Sequence, residues 1–260
     1  MWRHLRQLWA QRLEARALRR HPIPESLWQL TLLHYPFLAQ RSAGDLADLR
    51  RLCSLFLARK EFHGARGFEV SDDVALAVAA QACLPVLRLG LDWYDSFIGI
   101  VIHAGEVVAQ REFMDEDGVV HLFEEELAGE AMEGGPLMLV WSAFEPEASD
   151  PQAGSVFNVV IHEFAHIIDM QGGWADGVPQ QLSKAAHAHW LAVIEPEWQR
   201  FCERVEAKEA TLIDPYGAES LEEFFAVAVE AFFVAPMDLR REQPALYRLL
   251  ADFFKQDPAS

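Results

Sequence analysis

The chain has 260 residues, 51% of them hydrophobic and 24% charged, which is enough apolar material for a packed core and too much for disorder. Forty acidic against 22 basic residues leave a formal charge of −18, a field that repels nucleic acid and argues against direct binding to a phosphate backbone. Cys53, Cys83 and Cys202 form no metal-spaced pair and no disulfide framework, so the expected setting is a reducing one, the cytoplasm.

The first twenty residues carry six Arg and one Glu, and Leu5, Leu8, Trp9, Leu13 and Ala17 follow helical spacing. This predicts a short basic amphipathic helix, suited to an anionic membrane or partner, or to docking on the protein's own acidic body. Gln11, Arg12 and Glu14 interrupt any signal-peptide stretch, and no window approaches the roughly 20 clean apolar residues of a membrane span. His21-Pro-Ile-Pro24 ends this helix. Helical periods then run to about residue 62, with a start at Asp45 before Leu46, Leu49, Leu52, Cys53 and Phe56. Gly64 and Gly67 mark a turn, and Ser71-Asp-Asp73 resembles an N-cap for a helix over Val74–Leu84. Phe97–Ile102 and Val107-Val108 are β-type runs around Ala104-Gly105, which predicts a hairpin. Pro136–Trp141 is a further strand candidate, and helices are expected near 155–170, 182–208, 220–234 and 243–255. The predicted fold is α+β and mostly helical, with a small sheet in the middle. Residues 1–20 form the basic helix, 21–92 an N-terminal helical subdomain, and 93–260 the domain that carries the chemistry. Residues 112–183 contain no Lys or Arg and fifteen acids, either a solvated acidic face or a field that favours cationic ligands.

Residues 162–166 read His-Glu-Phe-Ala-His within an apolar stretch free of Gly and Pro. On a helix, His162 and His166 project from one face a turn apart and can bind one Zn²⁺. Glu163, rotated by about 100°, lies beside such a metal rather than on it. It is placed to take a proton from a water whose pKa zinc lowers to roughly 7. The alternative, two core histidines on an apolar helix, must also bury Glu163 without a partner, at a cost of several kcal/mol.

A catalytic zinc needs a third protein ligand. On spacing, Glu219, Glu222 and Glu223 are rivals, and Ser220 with Glu223 also matches a capping box, a helix start and nothing more. Asp169 and Glu230 could each accept the second N–H of a ligand histidine, or could simply cap a helix or face solvent. The Gly135–Trp141 strand could present an edge that aligns an extended peptide, or could be central with no free edge. Gly172–Gly177 could form a mobile flap carrying Trp174, whereas His187 and His189, two apart on a predicted helix, are poorly placed as ligands.

His-Glu-Phe-Ala-His-x-x-Asp, followed downstream by Tyr216-x₆-Glu223-x-Phe225-Ala226, resembles the Mlc titration factor A family of bacterial zinc metallopeptidases. More distantly, it is similar to the catalytic domain of anthrax lethal factor. The resemblance extends to Gly67-Phe-Glu, the Cys83–Trp93 block, Gly135-Pro136, Gly177-Val-Pro179 and Phe253–Pro258, and leaves out the first twenty or so residues. It implies a zincin-like fold and one Zn²⁺ per chain held by His162, His166 and Glu223. Glu163 would be the base, and Tyr216 would donate a hydrogen bond to the tetrahedral oxyanion. It further implies hydrolysis of a peptide or protein substrate, of aminopeptidase type, and a repressor partner of the Mlc kind. A protein that only sequesters such a repressor, with structural zinc, is the alternative.

Overall fold

A computed structural model describes residues 14–20, 22–105, 107–114, 120–131, 135–145, 155–179 and 183–260. Residues 14–20 are helical (α1), and Ala17 and Leu18 pack on the core while Glu14 pairs with Arg51. The described part of the basic helix therefore lies against the protein's own body; residues 1–13 fall outside the described residues. After α2 (Glu25–His34) and the short α3 (Pro36–Ala39), Ser42 caps α4 (Ala43–Arg59). The Ser42 hydroxyl accepts from the Asp45 N–H at 3.1 Å, which starts the helix two residues before the predicted Asp45. Leu49, Leu52, Cys53 and Phe56 form its buried stripe. In α5 (Asp72–Cys83) every residue from Leu76 onward is buried, and its run of alanines lets neighbouring helices approach closely.

Helix α6 (Val159–Asp169) packs between α5 and α8 (Leu221–Val234), and α7 (Lys184–Glu206), α9 (Pro236–Glu242) and α10 (Pro244–Phe254) close around α8. All of Phe224–Phe233 is buried, as expected of a helix that is apolar on every side. Its four fully buried phenylalanines contribute on the order of 1.5–3 kcal/mol each by removal from water. One cluster of buried side chains runs from Ile23 to Ala259.

A four-stranded mixed sheet has the order β1 (Glu61–Gly64), β2 (Gly99–His103), β6 (Leu137–Val140), β5 (Gly129–Ala131). The first three are mutually parallel, with Ile100 opposite Leu137, and β5 runs antiparallel to β6, with Ala131 opposite Leu137. The expected hairpin between the 97–102 and 107–108 runs does not form. Both edges of β2 are occupied by parallel partners from distant chain segments, and β3 (Val107–Met114) instead pairs with β4 (Val120–Leu127) as a separate antiparallel ribbon. The predicted 136–141 strand is likewise internal. The edge strands are β1 and β5, and β5 lies against α6. Among the described residues no helix is long and apolar enough to cross a membrane.

Candidate metal centre

Asn158 starts α6: its side-chain oxygen accepts from the Ile161 N–H at 2.9 Å. Four residues and then one turn further on, His162 and His166 leave the same face, with ring centroids 4.7 Å apart and Nε2 atoms 3.1 Å apart. The start of α8 meets them. Ser220 caps that helix through the Glu223 backbone N–H, at 3.2 Å, and this leaves the Glu223 carboxylate to turn toward the imidazoles. Its Oε2 lies 3.1 Å from His162 Nε2 and 3.4 Å from His166 Nε2. These contacts have the length but not the direction of hydrogen bonds, so Oε2 is buried without a hydrogen-bond partner.

Three lone-pair atoms facing one another at 3.1, 3.1 and 3.4 Å would repel unless a proton or a cation sits among them. Ligands placed tetrahedrally at the zinc distance of about 2.0–2.1 Å stand about 3.3–3.4 Å apart, so the observed triangle has the dimensions of one face of such a shell. Among the described residues, the group of His, Cys, Asp or Glu side chains that brings three ligand atoms within 4.8 Å of one another is His162, His166 and Glu223. Glu219 and Glu222 are not in it. The set fits a metal ion.

The surroundings orient these atoms. Glu230, 1% exposed on α8, accepts the His162 Nδ1–H at 2.8 Å, which leaves the Nε2 lone pair for the ligand triangle. Burial opposes a charge on His162, but Glu223 and Glu230 outweigh it and push the imidazole up to about 10. Burial would also raise the Glu223 carboxyl; the two imidazoles outweigh that and hold it at about 2. Glu163 and Glu230 are both raised by burial against the pull of the neighbouring histidines. Buried Glu163 and Glu230 and part-buried Glu223 thus surround the two imidazoles, in the place where a divalent cation would balance the charge.

Glu163 is 6% exposed and accepts the Ala131 N–H of β5. The two elements are in close contact: a Cβ added at Gly129 would lie 2.6 Å from Glu163 Cγ and Oε1. A cleft of about 220 Å³ opens here, with Gly129, His162, Glu163, Tyr216 and Glu230 among its walls and Phe157, Val159 and Val227 as its apolar side. Tyr216 stands on the turn before α8, its ring 6.2 Å from that of His162. Asp214 caps that turn by accepting the Tyr216 N–H at 2.9 Å, and Ser155 Oγ donates to its other oxygen at 3.1 Å. Gly217 is required by close packing, because a Cβ there would come within 2.6 Å of Val227.

The structure therefore brings His166 and Glu223 to His162, and His162, Glu163 and Tyr216 to the wall of one cleft. Of the two carboxylates considered for orienting a histidine, Glu230 does so, and Asp169 has another task. Its Oδ2 accepts the N–H groups of Asp176 and Gly177 at 3.0 and 2.7 Å, tying down the loop that carries the exposed Trp174. His187 and His189 are exposed on α7, away from the centre. Much of the acidic 112–183 run lies outside the residues whose side chains are described. Sequence reasoning missed Gly129 and Ala131, which belong to a three-residue strand too short for periodicity. It also missed Asn158, whose residue type directly ahead of an apolar helix was the available signal.

The chain resembles known proteins over most of its length. An uncharacterized protein of Synechocystis sp. is 34% identical over 240 residues, 91% of this chain and 86% of the relative. Mlc titration factor A of Salmonella gallinarum is 32% identical over 230 residues, 87% of this chain and 85% of its own length. The protein of the same name from Cronobacter sakazakii is 32% identical over 240 residues, 91% and 87%. The profile of one family, glucose-regulated metallo-peptidase M90, matches residues 8–255, a span that contains every side chain of the centre. On that match, the chain belongs to the M90 family of glucose-regulated metallo-peptidases.

Proposed function

We propose that this protein is a cytoplasmic zinc peptidase that holds one Zn²⁺ on His162, His166 and Glu223 and hydrolyses peptide bonds, with aminopeptidase-type cleavage as the family resemblance suggests. The observation that carries the reading is the triangle of ligand atoms at 3.1–3.4 Å with Glu163 on the adjoining position of the same helix. A bound zinc ion supplies an acidified water, with a pKa of about 7, and a Lewis acid for the scissile carbonyl. Glu163, whose carboxyl burial raises, takes a proton from the attacking water and delivers it to the leaving amine. The Ala131 N–H holds its carboxylate in place. Tyr216 donates to the oxyanion as it forms, an interaction stronger in the transition state than in the ground state. The edge strand β5, beside the cleft, aligns an extended substrate, while Phe157, Val159 and Val227 receive an apolar side chain.

The name of the Salmonella and Cronobacter relatives favours a second reading, in which the chain binds a repressor of the Mlc type and the zinc is structural. Glu163→Gln separates the two. Under the first reading it abolishes peptide hydrolysis while zinc content stays at the wild-type level; hydrolysis at the wild-type rate by the zinc-loaded variant would overturn the catalytic role. Repressor binding and regulation that persist in the inactive variant would assign the biological task to sequestration.

A further inference from the structure

Gln81 is fully buried in α5, a helix otherwise lined with Val, Leu and Ala, where a Leu or Met would serve packing equally well. A buried amide is costly unless each of its groups is bonded, so its presence needs a partner. That partner leads to the ligand triangle. Gln81 Nε2 donates to the Ala77 carbonyl at 3.1 Å, and Gln81 Oε1 accepts from Asn158 Nδ2 at 2.7 Å. Asn158 Oδ1 accepts the Ile161 N–H at 2.9 Å, and the Asn158 backbone N–H donates to Glu230 Oε2. Glu230 Oε1 then accepts the His162 Nδ1–H at 2.8 Å. Only one orientation of the two amides satisfies this chain: flipping either would set donor against donor or acceptor against acceptor. Both Glu230 oxygens are engaged, one by Asn158 and one by His162, so the carboxylate has no rotational freedom left.

We infer that Gln81 and Asn158 are positioning residues of the metal centre: they lock Glu230, and through Glu230 the ring and tautomer of His162. The inference rests on the metal-centre reading above and extends it to α5, in the N-terminal part of the chain. Glu230 by itself would accept a hydrogen bond from His162 in many orientations. The relay from α5 selects the one that points Nε2 at His166 and Glu223.

The test compares full-length wild type, Gln81→Met, Asn158→Asp and, as a packing control, Val78→Ala, which opens a cavity on the same helix. Gln81→Met keeps the volume and removes both amide bonds. Asn158→Asp keeps the helix cap but turns the donor facing Gln81 into an acceptor, and so tests the relay should Gln81→Met fail to fold. Zn²⁺ affinity is measured by competition with a chelator, and the His162 Nδ1–H is followed by NMR in the metal-free proteins. Both relay variants should weaken Zn²⁺ binding about 10-fold or more, the range for lost outer-sphere partners of a metal ligand. Their Nδ1–H signal should broaden relative to wild type. Val78→Ala, whose side chain makes none of these hydrogen bonds, should lower the melting temperature and leave both readouts unchanged. Wild-type affinity in Gln81→Met and Asn158→Asp would overturn the proposal, as would an equal loss in Val78→Ala, because affinity would then merely follow stability. A wild-type chain that binds no Zn²⁺ would be a different failure: it would remove the metal centre, and the relay's function with it.

Discussion

Gly129→Ala tests how the catalytic carboxylate is placed. The new methyl carbon would sit 2.6 Å from Glu163 Cγ and Oε1 and 2.8 Å from Cδ, where ordinary contact needs at least 3.4 Å. Some 0.6–0.8 Å or more must be found, either by β5 or by Glu163. Strand β5 is hydrogen-bonded to β6 and packed on α6, whereas the glutamate can rotate, so the cheaper relief swings the carboxylate off the Ala131 N–H. Overpacking of this kind costs about 1–3 kcal/mol of stability. A displacement near 1 Å in a reacting group costs about 100-fold in rate. The expected outcome is therefore a fall in kcat of about two orders of magnitude with Zn²⁺ still bound, because Glu163 is not part of the ligand triangle. Steady-state hydrolysis of a peptide substrate, metal analysis and a melting curve on the same preparation check all three parts. Activity close to wild type would refute the placement of Glu163 against β5. Loss of the metal would refute the separation of base from ligands.

Tyr216→Phe removes the phenolic donor without disturbing the Asp214 cap, so kcat should drop about 10²–10³-fold while KM and Zn²⁺ content hold; an unchanged kcat would remove Tyr216 from the chemistry. The charged cluster sets a pH signature in the metal-free protein. His162, raised to about 10, contributes stability that is complete below its ordinary 6.5 and is lost as pH rises through 10. Glu223, lowered to about 2, contributes above its ordinary 4.5 and loses that contribution as pH falls through 2. Both terms are complete between about pH 4.5 and 6.5, so melting temperatures of the metal-free chain should show their largest cluster-dependent stabilisation there, relative to His162→Ala. Zinc must displace the His162 proton, so calorimetry at pH 7 in buffers of different ionisation enthalpy should show about one proton released per metal bound. Zero release would mean that His162 is neutral before binding.

The helices and the two-histidine face were legible in the sequence because each is local. Apolar spacing, Ser220 ahead of α8 and an i, i+4 pair of imidazoles need no knowledge of the rest of the chain. The metal helix was read four residues too long at its start, since Ser155–Asn158 is apolar in part but is not helical, and Asn158 caps it. Choosing Glu223 over Glu219 and Glu222 took the resemblance, because three glutamates within five residues of a helix start are distinguished only by what faces them across α6. The sheet was least legible. Ala104-Gly105 has the form of a hairpin turn, yet β2 finds its partners in β1, 38 residues before it in register, and β6, 37 residues after it, and such pairings leave no trace in local sequence. Asp169 and Glu230 carried the same expectation, and only the fold separated them: one carboxylate meets the N–H groups of a loop, the other an imidazole.

Metal analysis of four purified proteins tests the centre most directly: wild type, His166→Ala, Glu223→Ala and Glu222→Ala. One zinc per chain is expected in wild type and in Glu222→Ala, and loss of it in His166→Ala and Glu223→Ala. Equal metal content in all four, or loss in Glu222→Ala with retention in Glu223→Ala, would contradict the account.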